Sequence, residues 1–148
     1  MAPPRLDEAW LEALPVLRAA LPPGLPLAAG GRSAGARVAC RTAAATGAAA
    51  VVCLAFPLHP PGRPERSRAA ELLTPAVPRL VLQGTRDTFG GPDDVRRAAA
   101  DDPGVRVVEL PGADHGYRVP ARAEFGPADL RERLVAEVAA LLGVPAAG

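Results

Sequence analysis

The residues of this chain whose types and spacing could do chemistry are a serine between glycines, an aspartate and a histidine. Gly31-Arg32-Ser33-Ala34-Gly35 has the form G-x-S-x-G, a sharp turn that lifts a serine hydroxyl clear of the backbone around it. A serine hydroxyl is a poor nucleophile at neutral pH. It needs a base to take its proton and a carboxylate to hold that base in one tautomer. The chain has two histidines. His115 lies in Pro111-Gly112-Ala113-Asp114-His115-Gly116, where small residues let a loop swing the imidazole. His59 lies in Pro57-Leu58-His59-Pro60-Pro61-Gly62, where prolines stiffen the backbone. His115 is therefore the candidate base, and His59 reads as a loop residue that lines a pocket. The candidate acid is Asp87, in Gln83-Gly84-Thr85-Arg86-Asp87. Asp93 and Asp94 read as acids at a helix N-terminus, and Asp114 as a residue that shapes the loop of its neighbour His115. In this arrangement Ser33 attacks a carbonyl carbon, His115 relays the proton and Asp87 orients His115. The backbone N–H of Ala34, opening a helix, points at the oxygen that becomes negative. No metal or organic cofactor is called for.

Those three residues are useful only if secondary structure delivers them to one place. Apolar residues at Trp10, Leu11, Leu14, Leu17 and Leu21 recur at helical spacing and predict an amphipathic helix over Leu6–Leu21, with acids early and Arg18 late. Pro22, Pro23 and Gly24 stop it, and Leu25–Gly31 follows as a short buried strand leading into the serine turn. The alanine-rich stretch Ala34–Thr46 is a second helix ended by Gly47, and Ala49–Phe56, centred on Val51 and Val52, is a second strand. The proline- and arginine-rich stretch Leu58–Pro78 is a long excursion with a helical turn or two around Ser67–Leu73. Arg79–Gln83 is a third strand, whose C-terminal end carries Asp87. Pro92–Ala100 is a helix, and Val105–Leu110 is a fourth strand, just before His115. Pro127–Leu142 closes the chain as a helix with Leu130, Leu134, Val138, Leu141 and Leu142 on one face. Strands that alternate with helices and read as apolar throughout predict an α/β domain: a mainly parallel sheet of about four strands with helices on both faces.

Composition narrows the class of partner. The 148 residues are 49% hydrophobic and 22% charged with a formal net charge of +1, which is enough for one domain, residues 1–148, with a real core. Arginine supplies all the basic charge and is interspersed with acids, so no basic stripe for nucleic acid is present. The absence of lysine beside abundant Ala, Gly, Pro and Arg reads as codon bias of a GC-rich genome. Cys40 and Cys53 lack the spacing of a zinc or redox site and read as small buried hydrophobes. Asp7 and Glu8 interrupt any signal-peptide core, and Ala43–Leu58 is too short and too broken for a membrane span. A cytoplasmic protein acting on a small molecule, without nucleic acid or membrane, is expected.

The order Ser33, Asp87, His115 is that of the α/β-hydrolase fold. Four motifs carry a closer resemblance: Gly30-Gly31-Arg32-Ser33-Ala34-Gly35-Ala36-Arg37, Phe56-Pro57-Leu58-His59-Pro60-Pro61-Gly62, Gln83-Gly84-Thr85-Arg86-Asp87-Thr88-Phe89-Gly90 and Gly112-Ala113-Asp114-His115. Together they resemble the small dienelactone-hydrolase-like α/β-hydrolases, whose relatives include a testis-expressed hydrolase-like protein and the hydrolase-like domain of an NSL chromatin-complex subunit. The resemblance implies Ser33 as nucleophile, Asp87 as acid, His115 as base, and Arg32 and Arg37 as features of the serine turn. It implies hydrolysis of an ester or related acyl bond. The chain reads as the C-terminal part of such a fold, because only one helix precedes the serine strand. Two expectations follow. The serine strand lies at a sheet edge, where a second copy can pair with it. The loop that supplies a second oxyanion donor has no match in Met1–Gly30, which favours weak catalysis or, as the alternative, an inactive binding domain or truncated gene product.

Overall fold

The structure, a computed structural model, describes residues 3–145. Nine elements alternate along it: α1 (Pro3–Ala19), β1 (Ala28–Arg32), α2 (Ala34–Thr46), β2 (Ala50–Leu54), α3 (Ala69–Leu73), β3 (Arg79–Gly84), α4 (Pro92–Ala98), β4 (Val105–Leu110) and α5 (Pro127–Leu142). The strands form one parallel sheet in the order β1-β2-β3-β4. All C-terminal ends therefore point the same way, and the loops after β1, β3 and β4 open on one rim.

The strand pleat divides the core into two. Ala29, Val51, Cys53 and Val81 face α2, α3 and α4, packing with Ala36, Ala39, Cys40, Leu72 and Val95. Leu54, Leu80, Leu82 and Leu110 face the other way, onto Leu130, Leu134 and Val138 of α5. Helix α2 owes its length to alanine propensity and ends at Gly47 in the left-handed conformation (φ 64°), where the N–H groups of Gly47 and Ala48 reach Ala44 and Ala43 carbonyls. Helix α1 lies outside α2 and is tied to it by Arg41, whose guanidinium is 2.7 Å from Asp7. Cys40 and Cys53 are free and buried with their sulfurs 3.6 Å apart; the bond from Cys40 and burial push the Cys53 thiol up.

Three sequence expectations are corrected. The first strand begins at Ala28 instead of Leu25, because Pro26 has no N–H to give a ladder. Helix α1 begins at Pro3 and encloses Pro15, so Asp7 and Glu8 fall beyond its first turn, which holds no acid. The outer strands are not apolar throughout. Arg106 and Glu109 of β4 are exposed and pair with Glu137 and Arg96, as an edge strand allows, and the central strand β3 opens on Arg79, buried and paired with Asp102. Among the described residues no helix is long and apolar enough to cross a membrane.

Candidate active site

Ser33 is the single residue between β1 and α2, and the turn it makes is strained. Its backbone has φ 52° and ψ −114°, outside the regions open to L-residues at no cost. The tightness has a visible cause. A Cβ on Gly31 would stand 2.3 Å from the Gly35 carbonyl carbon, so β1 and α2 can approach this closely only with glycine at 31. At Gly35 a Cβ would meet nothing within 4 Å; the steric requirement therefore falls on Gly31, which faces the Gly35 backbone, and not on the motif's second glycine. The Ser33 N–H bonds Leu54 O at 2.9 Å, which ties the turn to the end of β2. Ala34 opens α2, so its N–H is one of the first four of a helix, without an in-helix acceptor.

The candidate base and acid arrive from the other side of the sheet. Gly84 ends β3, and a Cβ there would stand 2.2 Å from Ala113 O, so glycine lets the loop after β4 lie across the rim of β3. That brings His115 to Ser33, with Oγ and Nε2 2.8 Å apart. The other ring nitrogen, Nδ1, lies 2.8 and 3.0 Å from the two carboxylate oxygens of Asp87. With the proton on Nδ1, the imidazole donates to Asp87 and accepts from the serine hydroxyl. The Asp87 side chain is fully buried while that of His115 is 20% exposed. A buried carboxylate must be satisfied. Asp87 also accepts from the Phe89 N–H at 2.8 Å and from Gln83 Nε2 at 3.2 Å.

The remaining candidates separate. Arg32 lies beside the three residues: its guanidinium reaches His115 O at 3.4 Å and sits 5.9 Å from the centre of the Tyr117 ring. Arg37 does not line the site. One helical turn beyond Ser33, it points to α3, where Nε and Nη2 bind the Glu71 carboxylate at 2.7 and 2.8 Å. His59 is also apart, its Nδ1 bound to Pro60 O at 2.9 Å, and it lines a separate depression with Leu58, Ser67 and Arg97. Asp114 holds the N–H groups of Gly116 and Arg118 on one oxygen, and those backbone bonds, Arg118's first, lower its carboxyl. Asp94 accepts the Gly91 N–H at the start of α4.

Three further residues at the site are given no role by the sequence, although Gln83 and Phe89 lie inside the third of the four motifs. Gln83 is completely buried and joins both loops: Oε1 accepts the Phe56 N–H, while Nε2 donates to Phe56 O, Gly90 O and Asp87. An amide at the end of an apolar strand is its only signal. Phe89 stacks on His115 with centroids 4.2 Å apart. Tyr117, at φ 62°, donates its hydroxyl to Leu82 O at 2.6 Å, and burial pushes its phenol up. Among the described residues no group of His, Cys, Asp and Glu could hold a metal.

A family model described as alpha/beta hydrolase domain matches residues 2–143. The chain belongs to that family. Solved alpha/beta hydrolases share the fold. A YdeN-like hydrolase from Pectobacterium atrosepticum is 24% identical, with 94% of this chain and 71% of that one covered and a TM-score of 0.57. XC6422 from Xanthomonas campestris, described as an α/β serine hydrolase without lid, is 24% identical over 95% of this chain and 56% of its own, with a TM-score of 0.58. An alpha-beta serine hydrolase homologue from Coxiella burnetii is 23% identical over 79% of this chain, with a TM-score of 0.51, and the chain spans 47% of its length. No curated protein matches the chain.

Proposed function

We propose that this chain is a serine hydrolase acting on a carboxylic ester or related acyl bond, of the dienelactone-hydrolase-like type that its motifs resemble. The observation that carries the reading is the continuous hydrogen-bonded line from Ser33 Oγ through His115 to the buried Asp87. Ser33 Oγ bonds to the acyl carbon as His115 Nε2 takes its proton, and the carbonyl oxygen becomes an oxyanion at the Ala34 N–H. Collapse of that intermediate breaks the bond to the leaving group, which takes the proton back from His115. Water, deprotonated by the same nitrogen, then attacks the acyl-serine and releases the acid. Asp87 stabilises the imidazolium present in both halves and remains ionised throughout.

A fluorophosphonate probe tests the reading, since it reacts with a serine activated in this way. We expect labelling of the wild-type chain and none of Ser33→Ala or His115→Ala. Absence of labelling in a folded wild-type chain would leave the second reading, a binding domain without turnover. One observation favours that alternative: β1 is the outer strand of the sheet, so among the described residues no neighbouring strand on its free side brings a second N–H toward Ser33. A missing oxyanion donor costs about 10²- to 10³-fold in rate, and p-nitrophenyl acetate should accordingly turn over slowly. The partner proposed for the free edge of β1 is a second copy of the chain.

A further inference from the structure

Asp87 and His115 are held by one residue that belongs to neither. Phe89 follows Asp87 by two positions, and its backbone N–H donates to Asp87 Oδ1 at 2.8 Å. Its ring stacks on the imidazole of His115, centroids 4.2 Å apart and planes inclined by 30°. The next residue continues the device: Gly90, at φ 116°, turns the chain so that its carbonyl accepts from Gln83 Nε2 at 2.7 Å, while the same Nε2 reaches Asp87 Oδ2 at 3.2 Å. Each carboxylate oxygen therefore has its own anchor besides His115, and the imidazole has an aromatic plate on one face.

We propose that Phe89 is a positioning residue for proton transfer, fixing the carboxylate through its backbone and the imidazole through its ring. This rests on the hydrolase reading above. His115 has two edges bound, one by Asp87 and one by Ser33, and these leave it free to tilt about the line joining them; a ring against its face removes that freedom. The contact also distinguishes states. An aromatic face attracts a cation more than a neutral ring, so the stack strengthens when His115 takes the serine proton. An interaction stronger in the charged intermediate than in the resting state acts on kcat and leaves KM nearly unchanged. Aromatic and cation–π contacts of this kind are worth about three- to thirtyfold in rate.

The backbone bond to Asp87 survives any substitution of the side chain except proline, so other variants at 89 isolate the stack. In Phe89→Leu, kcat on p-nitrophenyl acetate and the rate of fluorophosphonate labelling should both fall about three- to thirtyfold with KM changed less than about twofold. Phe89→Tyr, which keeps the ring, should restore wild-type rates. Because the chain has two histidines, proton NMR reads the contact without turnover: ring current should displace the His115 ring protons from those of His59 in the wild type and in Phe89→Tyr, and not in Phe89→Leu. Wild-type kcat in Phe89→Leu, a change carried by KM, or Phe89→Tyr as slow as leucine overturns the inference while leaving the hydrolase reading in place. A wild-type chain that shows the ring current but neither labels nor turns over overturns the hydrolase reading, and this proposal with it.

Discussion

At Ser33 the demands of chemistry and of backbone geometry oppose each other. A side chain at φ 52° and ψ −114° costs on the order of 1–3 kcal/mol, and glycine relieves most of that. Ser33→Gly should therefore unfold in urea at higher concentration than Ser33→Ala, by about 1 kcal/mol in stability, although neither variant has a nucleophile. Equal midpoints would mean that the turn is relaxed in solution. Asp87 is the second point at which a single atom matters. In Asp87→Asn an amide donor facing Nδ1 favours the proton on Nε2, where it points at Ser33 and cannot accept the serine proton. The corresponding change in chymotrypsin-like enzymes lowers kcat about 10⁴-fold, and a loss of that order is expected here, with about 1–3 kcal/mol of stability lost because the amide N–H group meets the Phe89 N–H or Gln83 Nε2 that the carboxylate accepts from. Retention of more than about a tenth of the activity would remove Asp87 from the proposed machinery.

At the scale of elements, close approach is what assembles the site. Gly31 lets β1 meet α2, and Gly84 lets β3 meet the loop that carries His115. Alanine at either position has to displace backbone, at a cost of about 1–3 kcal/mol. The two differ in what moves. Gly84→Ala pushes Ala113 and so should shift His115 from Ser33, giving a folded protein with strongly reduced labelling by the probe. Gly35→Ala is the opposite case, since its Cβ meets open space in the first turn of a helix, and alanine is favoured over glycine in helices by up to about 1 kcal/mol. It should fold at least as stably as the wild type. A Gly35→Ala protein as unstable as Gly31→Ala would refute the assignment of the steric requirement to position 31. The α2–α3 contact is governed by charge. Burial alone would raise the Glu71 carboxyl, but bonds from Arg37 and Arg41 outweigh it and hold that carboxyl below its usual range. A depressed folded value means that its stabilisation is fully present above the ordinary carboxylate pKa near 4.5 and is lost as pH falls through the lower folded value. Glu71→Gln should cost about 1 kcal/mol at neutral pH, and the gap to wild type should narrow as pH falls below the ordinary value near 4.5 and through the lower folded one. A gap in thermal melts that does not narrow as the solution is made more acid would assign the cost to packing.

The molecule as a whole is a sheet with unequal sides. β4 guards its outer edge with Arg106 and Glu109, both exposed. β1 carries alanine and glycine along most of its length, and apolar clefts run beside it, one of about 590 Å³ lined by Leu27, Leu54 and Val138 and another of about 330 Å³ lined by Trp10, Leu14 and Leu21. An edge of unpaired peptide groups whose one charge, Arg32, stands at its C-terminal end is a template for another strand, and a two-fold partner would close the assembly. Sedimentation velocity should show self-association that Ala28→Lys, at an exposed position of β1, reduces. A monomer at high concentration in the wild type would dispose of this expectation.

The α/β class, the element order and the limits of α2, β4 and α5 follow from periodicity, helix stop signals and the glycine-framed serine, because those are local preferences that a short window of residues contains. Ser33, Asp87 and His115 are legible as candidates for a similar reason: the residue types are rare enough, with two histidines in the chain, and loop positions after strands are readable. Their distances are not. That Ser33 and His115, separated by 82 positions, meet at 2.8 Å depends on parallel strands stacking in order and on Gly84 admitting the Ala113 carbonyl. Arg37 stands close to the serine in sequence and yet faces Glu71, because the rise of one helical turn carries it along α2, away from the sheet rim. The roles of Gln83, Phe89 and Tyr117 are unreadable in the sequence for the converse reason, even where a motif includes the residue: an amide, a phenyl ring and a phenol acquire a role only from what the folded chain places against them, and those partners are the loops brought together at one end of the sheet.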